Sequence, residues 1–389
     1  MSGGASTAGR DRLLGVSAPA IGDEEIEELL DAIRSGWVTA GPKVSAFQDR
    51  LADYLDVPFV RCLSSCTAGL TLALRVLDIG PGDEVLVPSL TFAACANVVV
   101  HLGAAPVLVD STPGAGLIDL ADAARKVTPR TRAIVPVHLG GHPLDLDALA
   151  TFRDRFGVAV VEDAAHAIGA EWRGRRIGSH GNLAAFSFHA TKNITTFEGG
   201  ALAIADERVA ERVDRLAVQG VSRSAWARHG DAAPGTYDVL EPGYKFAMTD
   251  VAAAVGIHQL ARLDGWIERR RVLADLYDEQ LVGLPLDLPA RPAPGARHAH
   301  HLYIVRLRDD APVERDTLAA ELRGRNIGTS VHFRAIHEHS YYRDRYRLRP
   351  EDLPSATHWS ATALTLPLHP AMTPGDIQDV VRALEDVLA

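Results

Sequence analysis

The sequence predicts an α/β protein: a large domain on a mostly parallel mixed sheet with helices on both faces, then a small C-terminal α+β domain. Three observations carry this reading. Short apolar, β-rich runs recur at regular spacing through the first half, helical periodicity fills the gaps between them, and the pattern changes after Asp163. Strands apolar on both faces belong to a sheet covered on both sides, and their alternation with helices marks stacked βα units. At 389 residues the chain exceeds the size at which one core keeps growing, so two domains are expected.

The expected strands of the first half are Phe59-Val60, Glu84–Val87, Pro106–Asp110, Arg132–Val137 and Val158–Val161, with a helix over Thr67–Leu77. In such sheets ligands collect outside the carboxyl ends of the strands, and Asp163 stands at one of those ends. Ala184–Phe188 and Ala201–Ile204 read as two more strands, joined by the loop that carries Lys192. A long helix follows from about Thr249 to Arg271, with Thr249 or Asp250 as its N-cap. Proline and glycine cluster in Leu284–Gly295, a loop between lobes. The remainder reads as strand Leu302–Leu307, helix Arg315–Arg323, strand Gly328–Val331 and a last helix from Asp376. The expected divisions are a flexible tail over 1–14, a large domain over 15–262 and a small domain over 263–389.

Composition excludes several classes of function. Hydrophobic residues at 47% and charged residues at 23% fit an ordinary soluble domain. No apolar run is long enough to span a membrane, and the first residues lack the apolar core of a signal peptide, so a cytoplasmic protein without membrane partners is expected. A net charge of −10 without a long basic block disfavours nucleic acid. Cys62, Cys66 and Cys95 have no zinc spacing and read as buried reduced thiols. His298, His300 and His301 have no carboxylate at suitable spacing, so no metal site is expected.

Lysine is where the chemistry concentrates. The chain has only Lys43, Lys126, Lys192 and Lys245, and nearly all other basic charge is arginine, which stays protonated and cannot act as an amine nucleophile. Lys192 alone lies between an apolar strand and a Glu-Gly-Gly turn, with Asp163 at a strand end 29 residues upstream. A reactive lysine and an acid for a ring nitrogen are what pyridoxal phosphate (PLP) requires of a protein. A carboxylate beside the ring nitrogen favours the protonated ring by direct charge pairing. For the phosphate, Ser64-Ser-Cys-Thr-Ala68 opens a helix whose free N–H groups suit a dianion, and Ser187 offers a further hydroxyl. Phe92, just past a strand end, is placed to stack on the ring; His166 is placed to pack on the opposite face or to reach the phenolic oxygen.

These segments resemble the DegT/DnrJ/EryC1/StrS family of sugar aminotransferases, fold-type I PLP enzymes, over residues 15–389. The stretches that carry the resemblance are Ser35–Lys43, Gly80–Phe92, Val135–Gly140, Val161–Gly169, the lysine segment and Gly328–Phe333, in that order and spacing. The resemblance implies pyridoxal 5'-phosphate as cofactor, pyridoxamine phosphate as its intermediate form, and Lys192 as the catalytic residue that carries it. It also implies that Asp163 meets the ring nitrogen, that Phe92 and His166 contact the cofactor, and that Cys66, Thr67 and Ser187 surround its phosphate. Trp37, Thr39, Gly41 and His332 fall where the family contacts the sugar nucleotide. The family resemblance further implies a homodimer with active sites at the interface, in which Gly243–Met248, and with it Lys245, reaches the neighbouring cofactor.

Two departures stand out. Cys66 replaces the glycine of the common Asn-Ser-Gly-Thr phosphate loop, which removes backbone freedom there. Lys245 stands where many relatives have asparagine, bringing positive charge near a phosphate or near the donor carboxylate. Within the family the details resemble the subgroup making UDP-4-amino-4-deoxy-L-arabinose, which shares Phe-His-Ala before the lysine, His332-Phe-Arg-Ala335 and the Tyr341–Arg345 run. The expected reaction moves an amino group from L-glutamate to C4 of a nucleotide-linked 4-keto sugar, a 4-keto-pentose being favoured, for secondary metabolites or cell-envelope glycosylation. The alternatives are amination at C3, a PLP-dependent dehydratase, which typically carries histidine in place of the lysine, and a non-catalytic sugar-nucleotide-binding regulator.

Overall fold

The computed structural model describes residues 10–222 and 236–388. Helices α1 (Asp23–Arg34) and α2 (Pro42–Leu55) precede the first strand, β1 (Phe59–Leu63). Then come α3 (Cys66–Val76), β2 (Glu84–Pro88), α4 (Ala94–His101), β3 (Ala105–Val109), α5 (Leu120–Lys126), β4 (Thr131–Ile134), α6 (Leu146–Phe156) and β5 (Ala159–Asp163). A two-stranded hairpin, β6 (Glu171–Trp172) and β7 (Arg175–Arg176), leads to β8 (Leu183–Ser187), β9 (Gly200–Ile204) and α7 (Glu207–Ala217).

The seven large-domain strands form one sheet in the order β1-β9-β8-β5-β4-β2-β3. The pairings from β8 through β3 are parallel, and β9 runs antiparallel to both of its neighbours. All five residues of β2 and of β9 are buried, as expected of strands covered on both faces. One core lies between the sheet and α3, α4 and α7, centred on Leu70, Leu74, Val98 and Leu216. The opposite core gathers Phe47 and Leu51 of α2, Leu149 of α6, and Phe186. Because β1, β2, β4, β5 and β8 share a direction, their carboxyl ends come out at one edge, where the candidate site assembles.

The C-terminal part begins within a 31-residue helix, α8 (Asp250–Gln280), which ends nine residues beyond the end the sequence suggests. The expected boundary at 262/263 falls inside it. Its first half buries Ala253, Ile257 and Leu263 in the large-domain core, and its second half carries Leu273 and Tyr277 into the small-domain core. Strands β10 (Leu286–Asp287), β11 (Tyr303–Leu307) and β12 (Ala363–Leu366) form an antiparallel sheet, with α9 (Arg315–Gly324), α10 (Ser340–Tyr346), α11 (Pro354–Thr362) and α12 (Pro374–Leu388) around it.

The structure corrects one expected strand. Gly328–Val331 is irregular backbone tied by single contacts, Gly328 N–H to Leu14 C=O at 2.8 Å and Ser330 to Thr365, and the third strand is β12 instead. An apolar strand pattern cannot distinguish pairing along a ladder from one isolated bridge. Residues 1–9 of the expected tail lie outside the described residues. Arg10 forms ion pairs with Asp376 (2.6 Å) and Asp379 (2.5 Å), and Leu14 is buried in the small-domain core.

Where α8 crosses α2, a Cβ on Gly256 would lie 2.5 Å from the Phe47 ring, which is itself fully buried. Gly256→Ala is therefore expected to destabilise the fold by about 1–3 kcal/mol through overpacking, although alanine is the better helix former by about 1 kcal/mol. The shift in denaturant midpoint at constant m-value measures it.

Candidate active site

The floor of the site is the carboxyl end of β5. Asp163 is only 5% exposed, and its backbone is fixed by N–H to Pro136 C=O (2.9 Å) and by His138 N–H to its own C=O (3.1 Å). Its Oδ1 accepts the Ala165 N–H at 2.9 Å, and its Oδ2 accepts the Cys95 thiol at 2.9 Å. The Cys66 sulfur is 3.8 Å from Oδ1 but 3.4 Å from the Ala185 carbonyl. Among the described residues no Arg, Lys or His forms a salt bridge with this carboxylate.

Lys192 sits above this floor on the β8–β9 connection, a compact loop held by Lys192 N–H to His189 C=O and Thr196 N–H to Phe188 C=O, both 2.9 Å. Burial pushes its amine below the usual lysine range, while the charge of Asp163 opposes that shift. The Lys192 charge in turn acts on His166, His301 and His332, so these groups share one pocket.

The corner expected to take the phosphate is the start of α3. Ser65 caps the helix by accepting the Ala68 N–H at 3.0 Å, and Thr67 is exposed in the first turn. Cys66 occupies the glycine position with its side chain turned inward toward Asp163, leaving the open side to backbone and to Thr67. Ser187 ends β8, opposite Gly200 in the ladder, and accepts the His189 N–H at 3.4 Å. Gly200 lets β9 approach the helix start: a Cβ there would lie 2.4 Å from the Cys66 nitrogen and 2.4 Å from the Ser65 carbonyl carbon.

Histidines and aromatics form the wall. Phe92 leaves 62% of its surface exposed and lies 6.0 Å from the Phe333 ring, which stacks on His166 at 5.9 Å. The Gly140 N–H donates to His166 Nδ1 at 3.1 Å, so the proton of the neutral ring is on Nε2. His301 lies 4.5 Å from His166. Asn193 donates its amide to Ala299 C=O at 2.8 Å, so its oxygen accepts from His301 Nδ1 at 3.1 Å, and the bare nitrogen there is Nε2. Burial first, then neighbouring positive charge, lowers both imidazoles far below the ordinary histidine range. His332 bonds Thr365 Oγ1 through Nδ1 at 2.7 Å, and burial pushes its pKa down to about 4.

The remaining expected residues have separate anchors. Gly41 and Lys43 at the start of α2 donate their N–H groups to Asp250 at 2.8 and 3.1 Å, and Val44 adds a third at 3.0 Å. Thr39 C=O accepts the Asp250 N–H, and Trp37 Nε1 donates to Ala40 C=O. The Trp37–Gly41 loop is thus clamped to the start of α8 rather than to the Lys192 cluster. Asp250, expected as an N-cap of its own helix, caps α2 instead, and Thr249 caps α8. Lys245 is exposed and its backbone pairs with Val218; the adjacent Phe246 C=O accepts the Ser64 N–H at 2.7 Å, beside the phosphate corner.

Three contributors escape a reading of the sequence. Cys95 reads as an inert buried thiol, although its place three residues past Phe92, at a strand-to-helix turn on the ligand edge, is a signal. His301 invites a metal reading; among the described residues no group of His, Cys, Asp or Glu is arranged to hold one. Phe333 lies inside two of the resembling stretches, but neither gives its side chain a role.

The residues fit PLP. A buried carboxylate without a salt-bridge partner among the described residues shares the pocket of a lysine whose amine is kept low in pKa, an aromatic ring stands exposed at the rim, and a helix start presents a hydroxyl. Comparison with known proteins agrees. Residues 19–385 match the DegT/DnrJ/EryC1/StrS aminotransferase family. The chain is 41% identical to spore coat polysaccharide biosynthesis protein SpsC of Bacillus subtilis over 381 residues, covering 97% of this chain and 98% of that one. Among solved structures, the PLP form of Spr1654 from Streptococcus pneumoniae superposes with a TM-score of 0.89 at 32% identity, covering 97% of this chain and 100% of that one. The sugar aminotransferase CalS13 from Micromonospora echinospora gives 0.87 at 30% identity, covering 96% and 100%. Among the described residues, no helix is long and apolar enough to cross a membrane.

Gly200→Ala is expected to force β9 away from the start of α3, because the atoms its Cβ would meet are backbone. A loss of about 1–3 kcal/mol in stability, with weaker PLP binding in a titration of the apoprotein, is the expected outcome.

Proposed function

As a member of the DegT/DnrJ/EryC1/StrS aminotransferase family the chain is a PLP-dependent sugar aminotransferase, and we propose that it moves the amino group of L-glutamate to C4 of a nucleotide-linked 4-keto sugar, a 4-keto-pentose being favoured. The observation that carries the aminotransferase reading is the intact Lys192 in one pocket with the buried Asp163. A dehydratase that typically has histidine at this position, or a binding module without chemistry, would not need that pair. Support for the C4 ketone and the pentose comes from the His332–Ala335 and Tyr341–Arg345 sequences shared with the 4-amino-arabinose subgroup. The product is read as an amino sugar for cell-envelope or secondary-metabolite glycosylation; the relative SpsC is named for a spore coat polysaccharide.

When bound, PLP supplies the electron sink that lets the carbon bearing the amino group lose a proton. In this reading Lys192 holds the cofactor covalently between turnovers. Once displaced, its amine takes the α-proton of the donor and later delivers one to C4 of the sugar. Burial favours the uncharged amine, which is the form able to take a proton. Asp163 would pair with the ring nitrogen. His166 would offer its Nε2–H to the phenolic oxygen, since its other nitrogen accepts from Gly140. Phe92 would cover one ring face, and Thr67, Ser187 and the amides at Cys66 would hold the phosphate. Trp37, Thr39, Gly41 and His332 contact the sugar nucleotide. A cytoplasmic homodimer completes the proposal, with Lys245 bringing positive charge to a phosphate or to the donor carboxylate across the interface.

Coupled assays with UDP-4-keto-pentose and dTDP-4-keto-6-deoxyglucose test the substrate, and NMR of the product locates the nitrogen. An amino group found only at C3 overturns the regiochemistry. Lys192→Ala is expected to lower turnover by at least about 10⁴-fold, the upper range for loss of one acid–base group, with circular dichroism unchanged; a variant of normal activity rules out the mechanism.

A further inference from the structure

The carboxylate that would face the ring nitrogen is held by an unusual donor. Cys95 Sγ lies 2.9 Å from Asp163 Oδ2 and 3.3 Å from Thr91 Oγ1. Both residues are almost completely buried, Cys95 at 0% and Thr91 at 1% exposed. Burial, together with the Asp163 charge, pushes the Cys95 thiol well above its ordinary range, so it keeps its hydrogen. The thiol has one hydrogen, and where it donates that to Asp163 Oδ2 the Thr91 hydroxyl is left to donate to the sulfur. The other thiol near Asp163, Cys66, is closer to the Ala185 carbonyl than to the carboxylate. Cys95 is thus the closer side-chain donor, and Ala165 N–H the backbone donor, to this acid.

A proton shared between a carboxylate and a pyridine nitrogen goes to the more basic partner. A buried carboxylate without donors tends to take up a proton, and each hydrogen bond donated to its ionised form opposes that. Donors arranged in series strengthen one another. We propose that Cys95, backed by Thr91, is a positioning residue that keeps Asp163 ionised, so that the shared proton resides on the cofactor ring. The proposal rests on the reading of Asp163 as the partner of the PLP ring nitrogen.

The test uses wild-type holoenzyme and variants loaded with PLP carrying ¹⁵N in the ring, and reads the ¹⁵N chemical shift of the pyridine nitrogen. Wild type should show a protonated ring. Cys95→Ala should move the resonance toward that of the neutral pyridine, and Cys95→Ser, which restores a donor of similar size, should return it toward wild type. Thr91→Val, close in shape, should shift it in the same direction as Cys95→Ala by less, and it decides the matter if Cys95→Ala does not fold. Unchanged resonances in both Cys95→Ala and Thr91→Val overturn the proposal while leaving the aminotransferase reading intact. A wild-type protein that binds no PLP overturns that reading and this proposal with it.

Discussion

One buried carboxylate organises this protein. Asp163 ends the middle strand of the sheet, and its side chain has no salt-bridge partner among the described residues. A buried charge is costly unless it is paired or hydrogen-bonded. Here the compensation comes from one backbone N–H, one thiol and the nearby Lys192, whose amine burial keeps low in pKa. The acid and the amine are therefore incomplete partners for each other. A cofactor with a cationic ring nitrogen and an aldehyde satisfies both at once, which is why PLP fits this pocket.

The sheet makes that pairing possible. Six strands point the same way, so residues from distant parts of the chain arrive at one edge: the α3 start after β1, Phe92 and Cys95 after β2, His166 after β5, and Ser187 at the end of β8. The antiparallel β9 returns the lysine loop to the phosphate corner, and it does so at the contact distance that only Gly200 allows. The small domain closes the wall with Phe333, His332 and His301, linked to the large domain by the continuous α8.

The histidines show a second ordering principle. His166 and His301 lie against each other and are both held neutral by burial, but backbone and amide partners give them opposite protonated nitrogens. Asn193, the residue after Lys192, sets the tautomer of His301, so the lysine loop is hydrogen-bonded directly to the histidine wall.

Much of this was legible in the chain itself. Local patterning sufficed for the βα alternation and for placing Lys192, Asp163 and the α3 start at the ligand edge of the sheet, because each depends on nearest neighbours and on residue chemistry. The residues also pointed to Phe92, Ser187 and His166 as cofactor contacts, and the family resemblance added Thr67, His332 and the Trp37–Gly41 loop. What only the tertiary structure decided are contacts between residues far apart in sequence: Cys95 on Asp163 across 68 positions, Asp250 capping α2 across 209, and His301 against His166. Gly328–Val331 belongs here too, since whether an extended run pairs along a ladder depends on what lies beside it. Periodicity records which face of an element is buried, but the partner it meets is set by how the layers close on one another.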